Sequence, residues 1–122
     1  MTRSLDAAAA LIERDYRRAL TVEHLAKAAG LSRFHFIRAF TARYGMTPHQ
    51  RLRARRLERA CELLITTPMP ITDICEAVGF ASLGTFSRTF HAATGESPTT
   101  FRKKRRKSVR IPSCFVRMYR AG

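Results

Sequence analysis

The sequence predicts an all-α fold, two helix-turn-helix subdomains joined by a long linker helix, on three observations. Helix caps and helix stops recur along the chain, whereas period-two strand alternation is almost absent. A motif is written twice, over 25–51 as LAKAAGLSRFHFIRAFTARYGMTPHQR and over 74–101 as ICEAVGFASLGTFSRTFHAATGESPTTF. Between the copies runs a pattern long enough for a strut, with Leu52, Leu57, Ala60, Cys61 and Leu64 on one helical face.

With Ala81 as one inserted residue, the copies align letter by letter. Ala28, Gly30 and Ser32 pair with Ala77, Gly79 and Ser82. Phe36, Arg38 and Phe40 pair with Phe86, Arg88 and Phe90, and Ala42, Gly45 and Pro48 with Ala92, Gly95 and Pro98. The shared letters are core hydrophobes, turn glycines, caps and one arginine per copy, which describes a repeated supersecondary unit.

The elements follow in order. Ser4 or Asp6 caps a first helix through about Arg18, with Ala8, Leu11, Ile12, Asp15 and Tyr16 at helical spacing. Thr21 caps Val22–Ala29, and Gly30 ends it by taking a positive φ. Ser32 caps the next helix, which stops at Gly45. Thr47 followed by Pro48 starts the linker helix, which runs to about Ile65 before TTPMP breaks it. Thr72 caps a short helix to Val78, Ser82 caps one to about Ala93, and Ser97 with Pro98 starts a last helix of one to two turns. The expected organisation is a first subdomain over 1–50, a linker helix over 48–67, a second subdomain over 68–105 and a basic tail over 106–122.

Charge points to the partner. Lys and Arg number 23 against 9 Asp and Glu, a net charge of +14. His24 to Leu57 carries eight Lys or Arg and no acid, and Ser97 to the C-terminus carries nine and no acid. Positive charge segregated this way calls for a polyanion. With no run of 18 apolar residues, a membrane span is excluded. The N-terminal stretch, broken by Asp6, is not a signal peptide. Cys61, Cys75 and Cys114 fit neither a disulfide framework nor a zinc site, so a reducing cytoplasm is expected, with no metal and no cofactor.

In a helix-turn-helix the first helix braces the second, whose N-terminal half enters the major groove, where base edges carry a full donor and acceptor code. Leu25, Leu31, Phe36 and Phe40, and in the second copy Ile74, Val78, Phe80, Phe86 and Phe90, are expected to pack inward. The candidate readers lie between them. In the first copy they are Ser32, Arg33, Phe34, His35, Ile37 and Arg38; in the second, Ser82, Leu83, Thr85, Ser87 and Arg88. Arg38 and Arg88 align and can bind guanine or clamp a phosphate. Phe34 can meet a thymine methyl or pack as core. Leu83 and Gly84 offer no polar readout, so the second copy is expected to read shape and methyl groups. Arg51, Arg53, Arg55 and Arg56 of the linker are expected to mix phosphate contacts with ion pairs; Arg51, Arg55, Arg102 and Lys103 are the phosphate candidates. Eighteen linker residues span ~27 Å, somewhat less than the ~34 Å of one turn of duplex. One chain, binding as a monomer, would reach two successive major grooves of an asymmetric site, with some bending of the DNA.

At these residues the chain resembles the DNA-binding domain of AraC/XylS-type bacterial transcription regulators, over about Leu5 to Arg102. The second-half signature is DICEAVGFASLGTFSRTF with GESPTTFR, from Asp73 to Arg102. The resemblance implies seven helices, two helix-turn-helix units and a linking helix. It implies binding to double-stranded promoter DNA, usually as an activator touching RNA polymerase, in the bacterial cytoplasm and on the nucleoid when bound. It places Phe34, His35, Ile37 and Arg38 in the first reading helix, and Leu83, Thr85, Ser87 and Arg88 in the second. Such domains are usually joined to a ligand-sensing or dimerisation domain, for which this chain has no room; control by abundance is the expectation. The resemblance does not reach the tail from Lys103 onward.

Two other functions compete. A charge-driven nucleoid-type binder would share the steep salt dependence but not the sequence preference. A cysteine-based alkyl acceptor is disfavoured: Cys61 and Cys75 fall on apolar faces, and Cys114 has no His or acid near it in sequence. No nucleotide-binding loop or catalytic constellation is present.

Overall fold

The computed structural model describes residues 2–105, with side chains from residue 4 onward. The basic tail over 106–122, and Cys114 with it, lie outside the described residues. Among the described residues there are seven helices and no strand: α1 (Thr2–Asp15), α2 (Val22–Ala29), α3 (Arg33–Tyr44), α4 (Pro48–Thr66), α5 (Ile71–Ala77), α6 (Leu83–Thr94) and α7 (Pro98–Arg105). None is long and apolar enough to cross a membrane.

The local signals work as their chemistry requires. Thr21, Ser32 and Ser82 each accept a hydrogen bond from the backbone N–H three residues on, at His24, His35 and Thr85. Thr47 and Gln50 form a reciprocal capping box, each side chain accepting from the other's backbone N–H, ahead of which no helical bond is possible. Two starts differ from expectation. α1 begins before Ser4, so neither Ser4 nor Asp6 caps it, and it ends at Asp15 rather than near Arg18. α5 begins at Ile71, with Pro70 as its N-cap and no side-chain cap, so Thr72 has no capping role. The Pro70 carbonyl already accepts from the Ile74 N–H (3.0 Å), and the φ of −58° that its ring favours leads into the helix.

α1, α2, α3 and α4 pack on one another, and α4, α5, α6 and α7 form the second group. Each group is therefore a helix-turn-helix pair held between a preceding and a following helix, and α4 serves both. Leu52, Ala54, Leu57, Ala60, Cys61, Leu63, Leu64 and Ile65 of α4 are all buried, which joins the two groups in one core. α3 and α6 are each anchored by phenylalanines one turn apart. The Phe36 and Phe40 rings meet at a tilt of 58° with centroids 5.5 Å apart, and Phe40 and Tyr44 at 4.6 Å. Phe86 and Phe90 lie 5.7 Å apart, and Phe90 meets Phe101 of α7 edge-on at 5.2 Å.

The duplication extends to an arginine clamp. Arg56 of α4 donates from Nε to the Tyr16 carbonyl (2.8 Å) and from Nη2 to that of Arg18 (2.9 Å). Arg102 of α7 donates from Nε to the Leu64 carbonyl (3.0 Å) and from Nη2 to that of Thr67 (3.1 Å). In each group the following helix thus supplies a guanidinium to carbonyls at or just past the C-terminal end of the preceding helix, where the helical ladder of hydrogen bonds runs out.

Candidate nucleic-acid interface

Capping sets the first turn of α3 and of α6, and the buried phenylalanines set which face is turned outward. With Phe36 and Phe40 fully buried, Phe34, Arg38 and Ala42 stand on the opposite side of α3, all exposed. With Phe86 and Phe90 fully buried, Leu83, Gly84, Thr85 and Arg88 are exposed on α6. Phe34 is 80% exposed and Leu83 43%, the large apolar side chains that stand out among the described residues. The packing reading of Phe34 is thereby set aside.

The two faces differ in chemistry. On α3, Phe34, Ile37, Arg38, Thr41 and Ala42 line an open groove of about 520 Å³, with Ile37 also resting on the core. Arg33 pairs with Glu23 of α2 (3.0 Å), both well exposed, so the pair adds little to stability and is easily exchanged for another anion. On α6, the Ser82 hydroxyl donates to the Thr85 hydroxyl (3.0 Å), and Arg88 reaches back to the same Thr85 oxygen (3.5 Å). Gly84 leaves room for that path: a β-carbon there would stand 3.3 Å from Arg88 Nη1. Ser87 is half-buried beside them, and the His35 side chain is exposed on α3. Ser32 and Ser82 are occupied as N-caps of α3 and α6, the helices that carry the candidate readers.

Several arginines offered as phosphate contacts have employment inside the fold. Arg51 and Arg55 both grip Glu13 of α1, at 3.1 and 3.2 Å, and Arg55 also lies over the Tyr16 ring at 4.4 Å. Arg102 is turned inward to the end of α4, and Arg56 to the end of α1; Arg56 has neither an acid nor solvent as its chief partner. Burial lowers the Arg56 pKa from the ordinary guanidinium value. Lys103 is exposed. The role of Arg56 is one that the sequence reading missed, although a signal was present. Arg56 falls between Leu52 and Ala60 at intervals of four, on the buried stripe of α4.

Among the described residues no three His, Cys, Asp or Glu side chains gather as a metal site requires. Cys61 is fully buried, and that burial pushes its thiol up to about 12, so at neutral pH it is no thiolate nucleophile. Burial also raises the Cys75 thiol.

Known proteins share this arrangement. Residues 25–104 match the family described as helix-turn-helix domain. The chain is 35% identical over 88 residues to the MmsAB operon regulatory protein of Pseudomonas aeruginosa, covering 72% of this chain and 29% of that protein. The chain thus spans well under half the length of the curated relatives it matches. The C-terminal domain of AraT, a response regulator from Geobacillus stearothermophilus, superposes with a TM-score of 0.79 at 31% identity, over 83% of this chain and 84% of that one. The DNA-binding domain of the global transcriptional factor AdpA, solved in complex with a target DNA, superposes with a TM-score of 0.81 at 29% identity, over 85% and 94%. Fold, duplicated motif and sequence similarity agree: the chain belongs to the AraC/XylS-type family of helix-turn-helix DNA-binding domains.

Proposed function

We propose that this chain is the DNA-binding part of a sequence-specific transcription regulator, and that one copy reads two successive major grooves of an asymmetric site. The observation that carries this is the placement of Phe34 and Leu83. A basic protein gains nothing by exposing large apolar side chains, yet these two stand in the first turns of the paired helices α3 and α6. That is where a helix-turn-helix meets base edges, and a thymine methyl is the apolar group on offer there. Arg38 and Arg88 supply the polar partner in each unit. AdpA, similar in fold along nearly its whole domain, is a DNA binder, which supports the same use here. The first unit, with Phe34, His35 and Arg38, carries more of the specificity than the second, with Thr85, Ser87 and Arg88.

Selection of bound sequences from random duplex DNA tests the proposal. The expected result is a two-part, non-palindromic motif with its halves one helical turn apart, preferred ~10³-fold or more over random duplex. Equal competition by random duplex would instead favour a charge-driven binder. Activation through RNA polymerase is the sense of regulation that the family resemblance suggests. Transcription in vitro from a promoter carrying the selected site, compared with one lacking it, checks that step.

A further inference from the structure

The turns of the two helix-turn-helix units are built around equivalent glycines, yet the surroundings of these glycines differ. Gly30 has φ +71° and Gly79 φ +97°, so both need the conformational freedom of glycine. A β-carbon on Gly30 would meet nothing within 4 Å. A β-carbon on Gly79 would stand 3.1 Å from the Tyr16 carbonyl, the Arg17 carbonyl and Arg56 Nε at once. The turn of the second unit is therefore pressed against the end of α1, an element of the first unit, at the point where Arg56 clamps it. α5 and α7 also hold the second unit through their packing on α4.

We propose that Gly79 and Arg56 form a joint that fixes the direction of the second reading helix relative to the first. Three parts meet in it: the Tyr16 and Arg17 carbonyls just past α1, the Arg56 guanidinium from α4, and the backbone of the α5–α6 turn. α1 packs against α2 and α3, so the joint refers the turn ahead of α6 to the body that carries α3. Gly79 and Arg56 are positioning residues, and neither needs to touch DNA. The consequence for DNA rests on the two-groove reading proposed above. A rigid joint makes binding of the two half-sites one event, so the second half binds at the high effective concentration of a linked pair.

Spin labels at Ala42 and Ala92 test the joint without DNA. These are paired positions of the repeat, both exposed, and Cys61 and Cys75 are buried; the background carries Cys114→Ser. The expected distance distribution is narrow in the parent and clearly broadened or shifted in Gly79→Ala. Gly30→Ala, which also puts a β-carbon on a positive-φ turn residue but meets no neighbour, leaves it narrow. Arg56→Lys, which keeps the charge but cannot bridge both carbonyls in the same way, broadens it as well and serves if Gly79→Ala loses its helical circular dichroism. A broad distribution in the parent, or one left narrow by the variants that fold, overturns the joint. With the selected site in hand, Gly79→Ala loses at least ~10-fold in affinity for the full site while each isolated half-site stays within about threefold. Equal losses on full site and half-sites would also count against the joint. If the parent itself binds the full site no better than one half, the two-groove reading is wrong, and the distance measurement still judges the joint.

Discussion

Phe34 and Arg102 show how one side chain's surroundings decide its role. Phe34 is 80% exposed, so Phe34→Ala removes little packing and should leave the denaturation midpoint nearly unchanged. Its expected effect is on the selected DNA site, a loss of up to about 1.5–3 kcal/mol as the apolar contact of its ring is removed, with little change on random duplex, measured by fluorescence titration. Arg102 gives the opposite pattern. Arg102→Met leaves the Leu64 and Thr67 carbonyls without their charged donor and should cost on the order of 1–3 kcal/mol of stability in urea. It should leave the slope of log affinity against log salt unchanged. Lys103→Ala, at an exposed neighbour, should leave stability alone and flatten that slope by ~0.9 if it meets a phosphate. In sequence the two basic residues are adjacent and indistinguishable. Only the neighbouring helix end separates them.

Among the elements, α6 and α7 meet through aromatic packing. Phe86 and Phe90 are fully buried and Phe90 meets Phe101 edge-on, so Phe90→Ala opens a cavity shared by two helices. The expected cost is ~3–5 kcal/mol by chemical denaturation, a large share of the stability of so small a domain. α7 is also held by charge. Glu96 accepts hydrogen bonds from Arg105 (2.6 Å) and Lys104 (3.0 Å), and these two cations hold its carboxyl below the ordinary value of 4.5. A lowered carboxyl pKa stabilises the fold above the ordinary value, and the gain disappears as pH falls through the folded value. Thermal melts of Glu96→Gln should therefore lie below the parent at pH 7. The gap should close as the buffer is taken below 4.5 and through the lowered value. The starts of the elements were legible where a side chain does the capping, at Thr21, Ser32, Thr47 and Ser82. They were not legible at α5, where the cap is the backbone carbonyl of Pro70.

At the scale of the whole molecule, the charge of +14 has to be met by an anion or by the few acids present. Glu13, Glu23 and Glu96 are each engaged with arginine or lysine, and Glu13 and Glu96 with two apiece. The cations left exposed are the ones available to a polyanion. If six to ten phosphates are neutralised, raising salt from 50 to 200 mM should weaken binding by ~10³–10⁵, and filter binding across that range measures it. A fall much shallower than this would mean that more of the arginines stay committed to the fold than the proposed interface allows.

The sequence by itself determined the helices, their order and the duplicated plan, because caps, glycine stops and hydrophobic spacing act within a few residues of chain. It also marked the outward faces of α3 and α6, since burying Phe36, Phe40, Phe86 and Phe90 leaves only one face of each to turn outward. Which arginines are free was decided by tertiary structure. Arg51 and Arg55 meet Glu13, Arg56 meets the end of α1, and Arg102 meets the end of α4, all across more than thirty residues of chain. The difference between Gly30 and Gly79 belongs to the same class. Both glycines end a short helix before a turn, and only the packing of the second turn on α1 gives Gly79 its second constraint. A charge or a missing side chain is written in the sequence, but what it faces depends on elements brought together by the fold.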